Sequence, residues 1–268
     1  RHFPSAGGTV GDDPWSAFSE AVSTNIDALR DALRRPVQTN EVRRCAALVG
    51  GFLLAGRPVG GRLRVLELGA SAGLNLRWDR YRYEAEGDSG WGDPTSPVRL
   101  DDVFVESTPP FHLRAEVVQR AGCDLAPLEA SSPGDSLALA AFVWADQTER
   151  LRRLEAALEM ARRYPVRVDV GNAPQWLEGQ LESEVDGVAT VVFHSFFEQY
   201  LNDVERARLR EILVSAGGRA TTSAPLAHLR MEWGRDGADV ELTTWPGGST
   251  RLLATADNQG GSIRWRAS

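Results

Sequence analysis

Val65-Leu66-Glu67-Leu68-Gly69-Ala70-Ser71-Ala72-Gly73 is the stretch that decides the fold. The apolar residues of its first half predict a buried strand over residues 62–68. Small residues then follow the strand, and a helical pattern continues to about residue 79. Small residues let the backbone turn sharply and approach a ligand closely. The stretch therefore predicts a strand–loop–helix unit with a binding site at its loop.

Strands and helices alternate after this unit, which predicts a mostly parallel sheet with helices on both faces. Seven apolar runs mark the expected strands, at residues 62–68, 114–120, 166–170, 188–193, 226–233, 240–245 and 251–256. No helical pattern separates the last three runs, so we expect an antiparallel hairpin to close one edge of the sheet. The fold class predicted is α/β.

The remaining segments complete the expected domain plan. Helical apolar stripes over residues 12–34 and 40–54 predict an N-terminal helical cap over residues 1–61, packed on an α/β domain of residues 62–268. Residues 81–86 and 98–106 alternate like paired strands around a Gly- and Pro-rich loop. We therefore expect an inserted β-hairpin at residues 81–114.

Composition excludes several classes of function. All 30 basic residues are Arg, so a Schiff-base lysine and a P-loop are both excluded. The net charge of −7 argues against nucleic acid as a partner, because phosphate recognition needs a basic face. Two cysteines and four scattered histidines give no metal-site spacing. The longest apolar run, of about 12 residues, is too short for a membrane helix, and no signal peptide is visible, so we expect a cytoplasmic protein.

The loop after the first strand resembles the S-adenosylmethionine site of class I methyltransferases. That site has an acidic residue two positions before a Gly-x-Gly-x-Gly loop, and Glu67, Gly69, Ser71 and Gly73 stand at these positions. The glycines would allow close approach of the cofactor, and Glu67 would orient its ammonium end. Ser71 stands where the pattern has its second Gly, and its side chain is small.

Two further positions are expected to complete this cofactor site. A second-strand carboxylate should accept hydrogen bonds from the ribose hydroxyls. Glu84 lies closest to the usual distance of about 20 residues after the glycine loop of a nucleotide-binding unit. Asp124, however, follows the strand that is topologically equivalent to the second strand of such a unit, and we favour Asp124. Asn172 and Ala173 follow the third parallel strand, where an acidic residue and Ala usually meet the adenine, and the Asn oxygen can serve instead.

The same loop also fits the nucleophile elbow of a serine hydrolase. Gly69-x-Ser71-x-Gly73 has the Gly-x-Ser-x-Gly form, and Asp169 and His194 follow in the order that a triad needs. We disfavour this interpretation because only helices precede the elbow and no oxyanion segment is visible.

Candidate catalytic residues lie after the fourth parallel strand. Ligands of parallel sheets gather at the carboxyl ends of strands, where His194 is expected. Its ordinary pKa suits a general base acting on a substrate hydroxyl or amine. Glu198 and Tyr200 follow within two turns and could orient the substrate.

Four longer segments resemble one bacterial family, the domain of unknown function 2332. They are Gln38–Val42, Leu66–Tyr81, Gly122–Leu125 and Val192–Ser195. The resemblance implies a Rossmann-like class I methyltransferase fold with a seven-stranded sheet, and it adds Asn75 to the cofactor-binding candidates. It also implies a helical segment ahead of residues 1–8, either cleaved or supplied by a partner chain or a second copy.

These observations favour an S-adenosylmethionine-dependent methyltransferase that acts on a small molecule, with secondary metabolism as one setting for the reaction. The departures at Ser71 and Asn172 favour one alternative, a non-methylating enzyme on the same fold that performs intramolecular displacement or ring closure. Lesser alternatives are the serine hydrolase and a non-catalytic interaction module.

Overall fold

The fold is a mixed α/β arrangement built on one large, mostly parallel sheet. The computed structural model describes residues 7–9, 11, 13–33, 37–85 and 90–266. Its strands are β1 (Arg62–Leu68), β2 (Arg82–Glu84), β3 (Gly90–Gly92), β4 (Arg99–Leu100), β5 (Glu116–Asp124), β6 (Val168–Val170), β7 (Ala189–Ser195), β8 (Leu226–Trp233), β9 (Ala238–Trp245), β10 (Ser249–Ala256) and β11 (Arg264–Trp265). Its α-helices are α1 (Pro14–Thr24), α2 (Ile26–Ala32), α3 (Arg44–Gly56), α4 (Pro133–Ala141), α5 (Thr148–Arg163), α6 (Ala173–Gln180) and α7 (Asp203–Arg219).

The large sheet has the strand order β6-β5-β1-β7-β8-β9-β10-β11. The five strands from β6 to β8 are parallel, and β9, β10 and β11 continue the sheet in antiparallel pairings. The parallel half follows the doubly wound order 3-2-1-4-5. The sheet therefore has eight strands instead of the seven expected, and an antiparallel meander replaces the simple closing hairpin.

β5 extends four residues beyond the predicted end, so Asp124 is the last residue of the strand. Leu68 of β1 pairs with Cys123, which carries the parallel ladder almost to that end. A side chain at Gly122 would meet Ala70 Cβ at 2.8 Å, so glycine is needed where the two strands approach closely. The sequence pattern predicts the end of this strand at residue 120, and the pairing with β1 carries the strand past it.

Helices cover both faces of the sheet, as predicted. α3 and α5 share one apolar core with β1, β7 and β8, while α6 and α7 share another with the opposite face. α3 is buried nearly all round. Its Phe52 stacks on Trp78 with ring centres 4.3 Å apart and meets Phe193 edge-on at 4.9 Å.

The first two helices do not pack on the sheet in the way that we expected of a cap. The predicted helix 12–34 is divided at Asn25 into α1 and α2, and α1 has no buried residue. The apolar stripe of this segment instead faces solvent, through Trp15 and Phe18 of α1, Ile26 and Leu29 of α2, and Leu33 after α2. Only the helix predicted at 40–54, which is α3, packs against the core.

The inserted region forms a small three-stranded sheet in the order β3-β2-β4, where a two-stranded hairpin was predicted. β2 pairs antiparallel with β3 and parallel with β4. The segments predicted to form the hairpin therefore meet only in part, because residues 90–92 take the antiparallel edge.

Among the described residues, no helix is long and apolar enough to cross a membrane.

Candidate functional site

A cleft of about 230 Å³ lies at the carboxyl ends of β1, β5, β6 and β7. The chain leaves β1 toward β5 on one side and returns through β7 on the other, so the strand order reverses here. Open α/β sheets bind ligands at such a reversal. The walls come from the segments after these strands and from residues 37–39 before α3.

The loop after β1 has a left-handed backbone at three alternate positions, with φ of 68° at Gly69, 51° at Ser71 and 64° at Gly73. It is tied to β5 by the Ala70 amide, which donates to the Cys123 carbonyl at 2.9 Å. The residues after it, Asn75–Arg80, form a 3₁₀ helix. The loop thus presents its small residues to the cleft in a defined conformation.

Asp124 stands at the end of β5 and joins the two sides of the cleft. Its carboxylate accepts hydrogen bonds from the backbone N–H of Ser71 at 2.8 Å and of Ala126 at 2.9 Å. A carboxylate has about four acceptor sites, so Asp124 keeps capacity for a ligand hydroxyl. The sequence-based choice of Asp124 over Glu84 agrees with its place in the cleft, while Glu84 pairs with Arg99 in the small sheet.

Gln38 spans the cleft above the loop. Its amide Nε2 donates to the Ala126 carbonyl at 2.8 Å and to Asp124 Oδ1 at 3.4 Å, and its Oε1 accepts from Ser71 Oγ at 3.1 Å. The residues before α3 are therefore fastened to both walls through one side chain.

Asn172 and Ala173 line the cleft beyond Asp124. Asn172 caps α6, because its Oδ1 accepts from the Gln175 amide at 3.4 Å, and its Nδ2 donates to Glu205 Oε1 at 2.8 Å. Five of the predicted cofactor residues thus line one cavity, namely Gly69, Ser71, Asp124, Asn172 and Ala173.

Three other predicted cofactor residues, Glu67, Gly73 and Asn75, do not line the cleft. Gly73 accepts a hydrogen bond from Arg77, and Asn75 accepts one from the Cys45 thiol at 3.3 Å. Glu67 is 3% exposed, and its Oε2 has no hydrogen-bond partner among the described residues. Burial raises the pKa of Glu67 well above its ordinary value, while the charge of Arg77 opposes this shift.

The predicted general base His194 is fully buried and lies outside the cleft lining. Its Nδ1 is 2.7 Å from Glu232 Oε1, and its Nε2 is 2.9 Å from His228 Nε2. Both ring nitrogens are therefore occupied, so the geometry supports a structural role. The sequence did not indicate Glu232 and His228 as partners of His194. They lie four residues apart on β8, so both side chains are on the same face of the sheet as His194.

Of the two residues predicted to assist His194, Glu198 lies near it, with Oε1 3.9 Å from His194 Nε2, and Tyr200 lies in the cleft. Glu198 pairs with Arg230 at 3.1 Å and does not line the cleft. Tyr200 does line the cleft, at its mouth, and is 69% exposed.

The serine hydrolase triad is not assembled. Ser71 Oγ bonds to Gln38, Asp169 accepts a hydrogen bond from Trp176 Nε1 at 2.8 Å, and both ring nitrogens of His194 have other partners. This contradicts the hydrolase interpretation, because each member must contact the next.

Within the described part of the chain, no group of three His, Cys, Asp or Glu side chains could hold a metal ion.

Arg44, which the sequence analysis did not select, also lines the cleft. It is the first residue of α3, and its guanidinium lies 4.6 Å from the ring centre of Phe196. Its position just after the polar segment Gln38–Glu41 is the one signal in the sequence that could have identified it.

Comparisons with known proteins give one family and two similar structures. A sugar N-methyltransferase from a Streptoalloteichus species is 10% identical, with 79% of this chain and 72% of that chain covered and a TM-score of 0.28. A methyltransferase from Streptomyces caelestis is 14% identical, with 81% and 80% covered and a TM-score of 0.25. No curated protein matches the chain. A family model described as "Uncharacterized protein conserved in bacteria (DUF2332)" matches residues 1–265.

Proposed function

The chain belongs to this bacterial family, and we propose that it is an S-adenosylmethionine-dependent methyltransferase that acts on a small molecule. The observation that carries the proposal is the cleft at the strand reversal, where five residues selected from the sequence as cofactor ligands meet. Such a reversal is the usual ligand site of an open α/β sheet.

The residues of the cleft fit this cofactor chemically. Gly69 and Ser71 offer a wall with little side chain, which suits the close approach of a nucleoside. Asp124 can accept a hydrogen bond from a ribose hydroxyl in place of the weak bond from Gln38, which is 3.4 Å long. Asn172 Oδ1 has only one weak partner, at 3.4 Å, and so can accept from an exocyclic amine.

The chain's main contribution to the reaction would be positioning. The cofactor, when bound, supplies an activated methyl group. An in-line approach of the acceptor to that group can be enforced by the walls around Ser195 and Tyr200. Tyr200 is the one predicted catalytic residue that lines the cleft, and its hydroxyl can hold or relay the acceptor proton.

Binding calorimetry with S-adenosylmethionine and S-adenosylhomocysteine tests the proposal. We expect the wild type to bind both, and Asp124→Ala to lose about tenfold or more in affinity, because it loses its carboxylate acceptor. Asp236→Ala is the control, since it removes an exposed carboxylate outside the cleft lining. Failure of the intact wild type to bind either compound would contradict the proposal.

One observation favours the non-methylating enzyme as a second candidate. Gln38 already donates to Asp124, at the place where a ribose would bind. An enzyme of this kind would use the cleft without S-adenosylmethionine, so it would fail the calorimetric test yet still convert a substrate. Cofactor consumption therefore separates the two candidates.

We also propose a cytoplasmic location and a small-molecule partner. Both cysteines are free and buried among the described residues, which suits a reducing compartment. Association with a partner chain or with a second copy stays a proposal, to be tested by the oligomeric state in solution.

A further inference from the structure

Arg44 brings a positive charge into the wall of the cleft without a counterion. Its Nε donates to the Asn258 carbonyl at 3.1 Å, and its Nη1 donates to Ser195 Oγ at 3.4 Å. It forms no ion pair within the described part of the chain. A guanidinium has five N–H groups, so three of them keep no partner there.

The nearest carboxylates are committed to other groups. Glu41 Oε2 lies 2.5 Å from Arg150 Nε, and its Oε1 accepts from the Arg43 amide at 3.1 Å. Glu232 binds His194 and the backbone N–H of Phe197. These carboxylates influence the pKa of Arg44, which burial nevertheless lowers, but neither contacts its guanidinium.

Arg77 shows how this chain provides hydrogen-bond acceptors for an arginine that has only a structural role. It also lacks an ion pair among the described residues, yet its N–H groups donate to the carbonyls of Tyr164 at 2.8 Å and Gly73 at 2.5 Å. A third carbonyl, that of Ala161, lies at 3.5 Å. Arg44 has no such set of carbonyls among the described residues, and it lines the cleft.

We propose that Arg44 binds an anionic group, a carboxylate or phosphate, of the small molecule that occupies the cleft. A planar guanidinium recognises both groups through paired hydrogen bonds. The inference rests on the proposed small-molecule function and adds the charge of the ligand to it. The anion has two sources, the amino-acid carboxylate of S-adenosylmethionine or an acidic group on the methyl acceptor.

The first arm of the test compares two nucleosides. S-adenosylhomocysteine carries the amino-acid carboxylate, and 5′-methylthioadenosine lacks it. If Arg44 holds the cofactor, Arg44→Gln weakens the first compound about tenfold or more and leaves the second unchanged. The control Arg251→Gln removes one exposed charge on β10 and should change neither affinity.

The second arm uses inorganic phosphate and acetate as probes. If Arg44 holds the acceptor, either anion raises the melting temperature of the wild type and of Arg251→Gln relative to chloride at equal ionic strength. Arg44→Gln loses this rise and keeps its affinity for S-adenosylhomocysteine. Arg44→Lys keeps the charge, so it retains part of the rise, and circular dichroism verifies that each variant is folded.

The proposal is overturned if Arg44→Gln matches Arg251→Gln in both arms. If the wild type binds neither nucleoside but phosphate or acetate still acts through Arg44, the methyltransferase proposal fails and the anion site stands. The two failures are therefore distinguishable.

Discussion

Glu67 is the most buried of the carboxylates selected from the sequence. Only 3% of it is exposed, and desolvation raises its pKa against the opposing effects of Arg77 and Asn75. A raised folded pKa means that the native state binds the proton more tightly than the unfolded chain does. Stability from this group is therefore fully present below the unfolded pKa, and it is lost as the pH rises toward the folded value.

We predict that Glu67→Gln becomes more stable relative to the wild type as the pH rises from 5 to 8. Gln is nearly isosteric and has no charge to desolvate, so it avoids the penalty that the wild type meets above the ordinary pKa of glutamate. Urea unfolding at both pH values measures the difference. A difference that stays constant, or that shrinks with rising pH, would show that Glu67 ionises without cost.

At the scale of elements, the turn after β1 depends on its first glycine. Gly69 has φ of 68°, and an added Cβ would meet Phe197 Cδ2 at 2.6 Å. Gly60 offers a matched comparison, because it has the same φ and an added Cβ would meet nothing within 4 Å. The two positions thus separate backbone strain from the contact with the ring.

We predict that Gly60→Ala costs about 1 kcal/mol of stability, the usual penalty for a left-handed alanine. Gly69→Ala should cost about 2–3 kcal/mol, because the Phe197 ring must also shift. Chemical denaturation of both variants measures these costs, and binding of S-adenosylhomocysteine should weaken in Gly69→Ala alone. Equal costs for the two variants would rule out a role for the ring.

The elements differ in how far the sequence determined them. The predicted bounds of β1 and β8 agree with the structure residue for residue, because each has a long apolar pattern with Gly or Pro at both ends. The end of β5 was missed, since pairing with β1 outweighs the local preference of Gly122 for a turn. The stripe of α1 predicted burial, but whether a helix face is covered depends on distant parts of the chain.

The candidate site shows the same limit. Asp124, which the sequence favoured over Glu84, lines the cleft, and its place there follows directly from the order of the strands. The partners of His194, by contrast, lie more than 30 residues away on β8, and no local pattern connects them. Position at a strand end is readable from sequence, whereas the direction and partners of a side chain are set by tertiary packing.

At the scale of the whole molecule, the reactivity of the two thiols measures how far the protein has unfolded. Cys45 and Cys123 are fully buried, and burial raises the pKa of Cys123 to about 12 and that of Cys45 well above its ordinary value. Only the thiolate reacts with disulfide reagents. At pH 8 the reactive fraction of Cys123 is about one in ten thousand.

We predict that neither thiol of the native protein reacts with Ellman's reagent at the rate of a free cysteine, and that two thiols react in denaturant. The labelling rate should rise with urea in parallel with unfolding. Cys45→Ser assigns the remaining signal to Cys123. Rapid labelling of either thiol in the native state would contradict the packing described for α3 and β5.

Gln38 gives the chain an internal competitor for its own cleft. A ligand hydroxyl that donates to Asp124 takes the place of the Gln38 amide, so one hydrogen bond is exchanged for another. The net gain on binding is the difference between two similar bonds, which is smaller than the full strength of either. Such an exchange keeps the polar groups paired in both states and favours rapid release of the ligand. The bonds of Gln38 with the Ala126 carbonyl and with Ser71 Oγ remain, so the chain before α3 stays attached to the cleft while the ligand is bound.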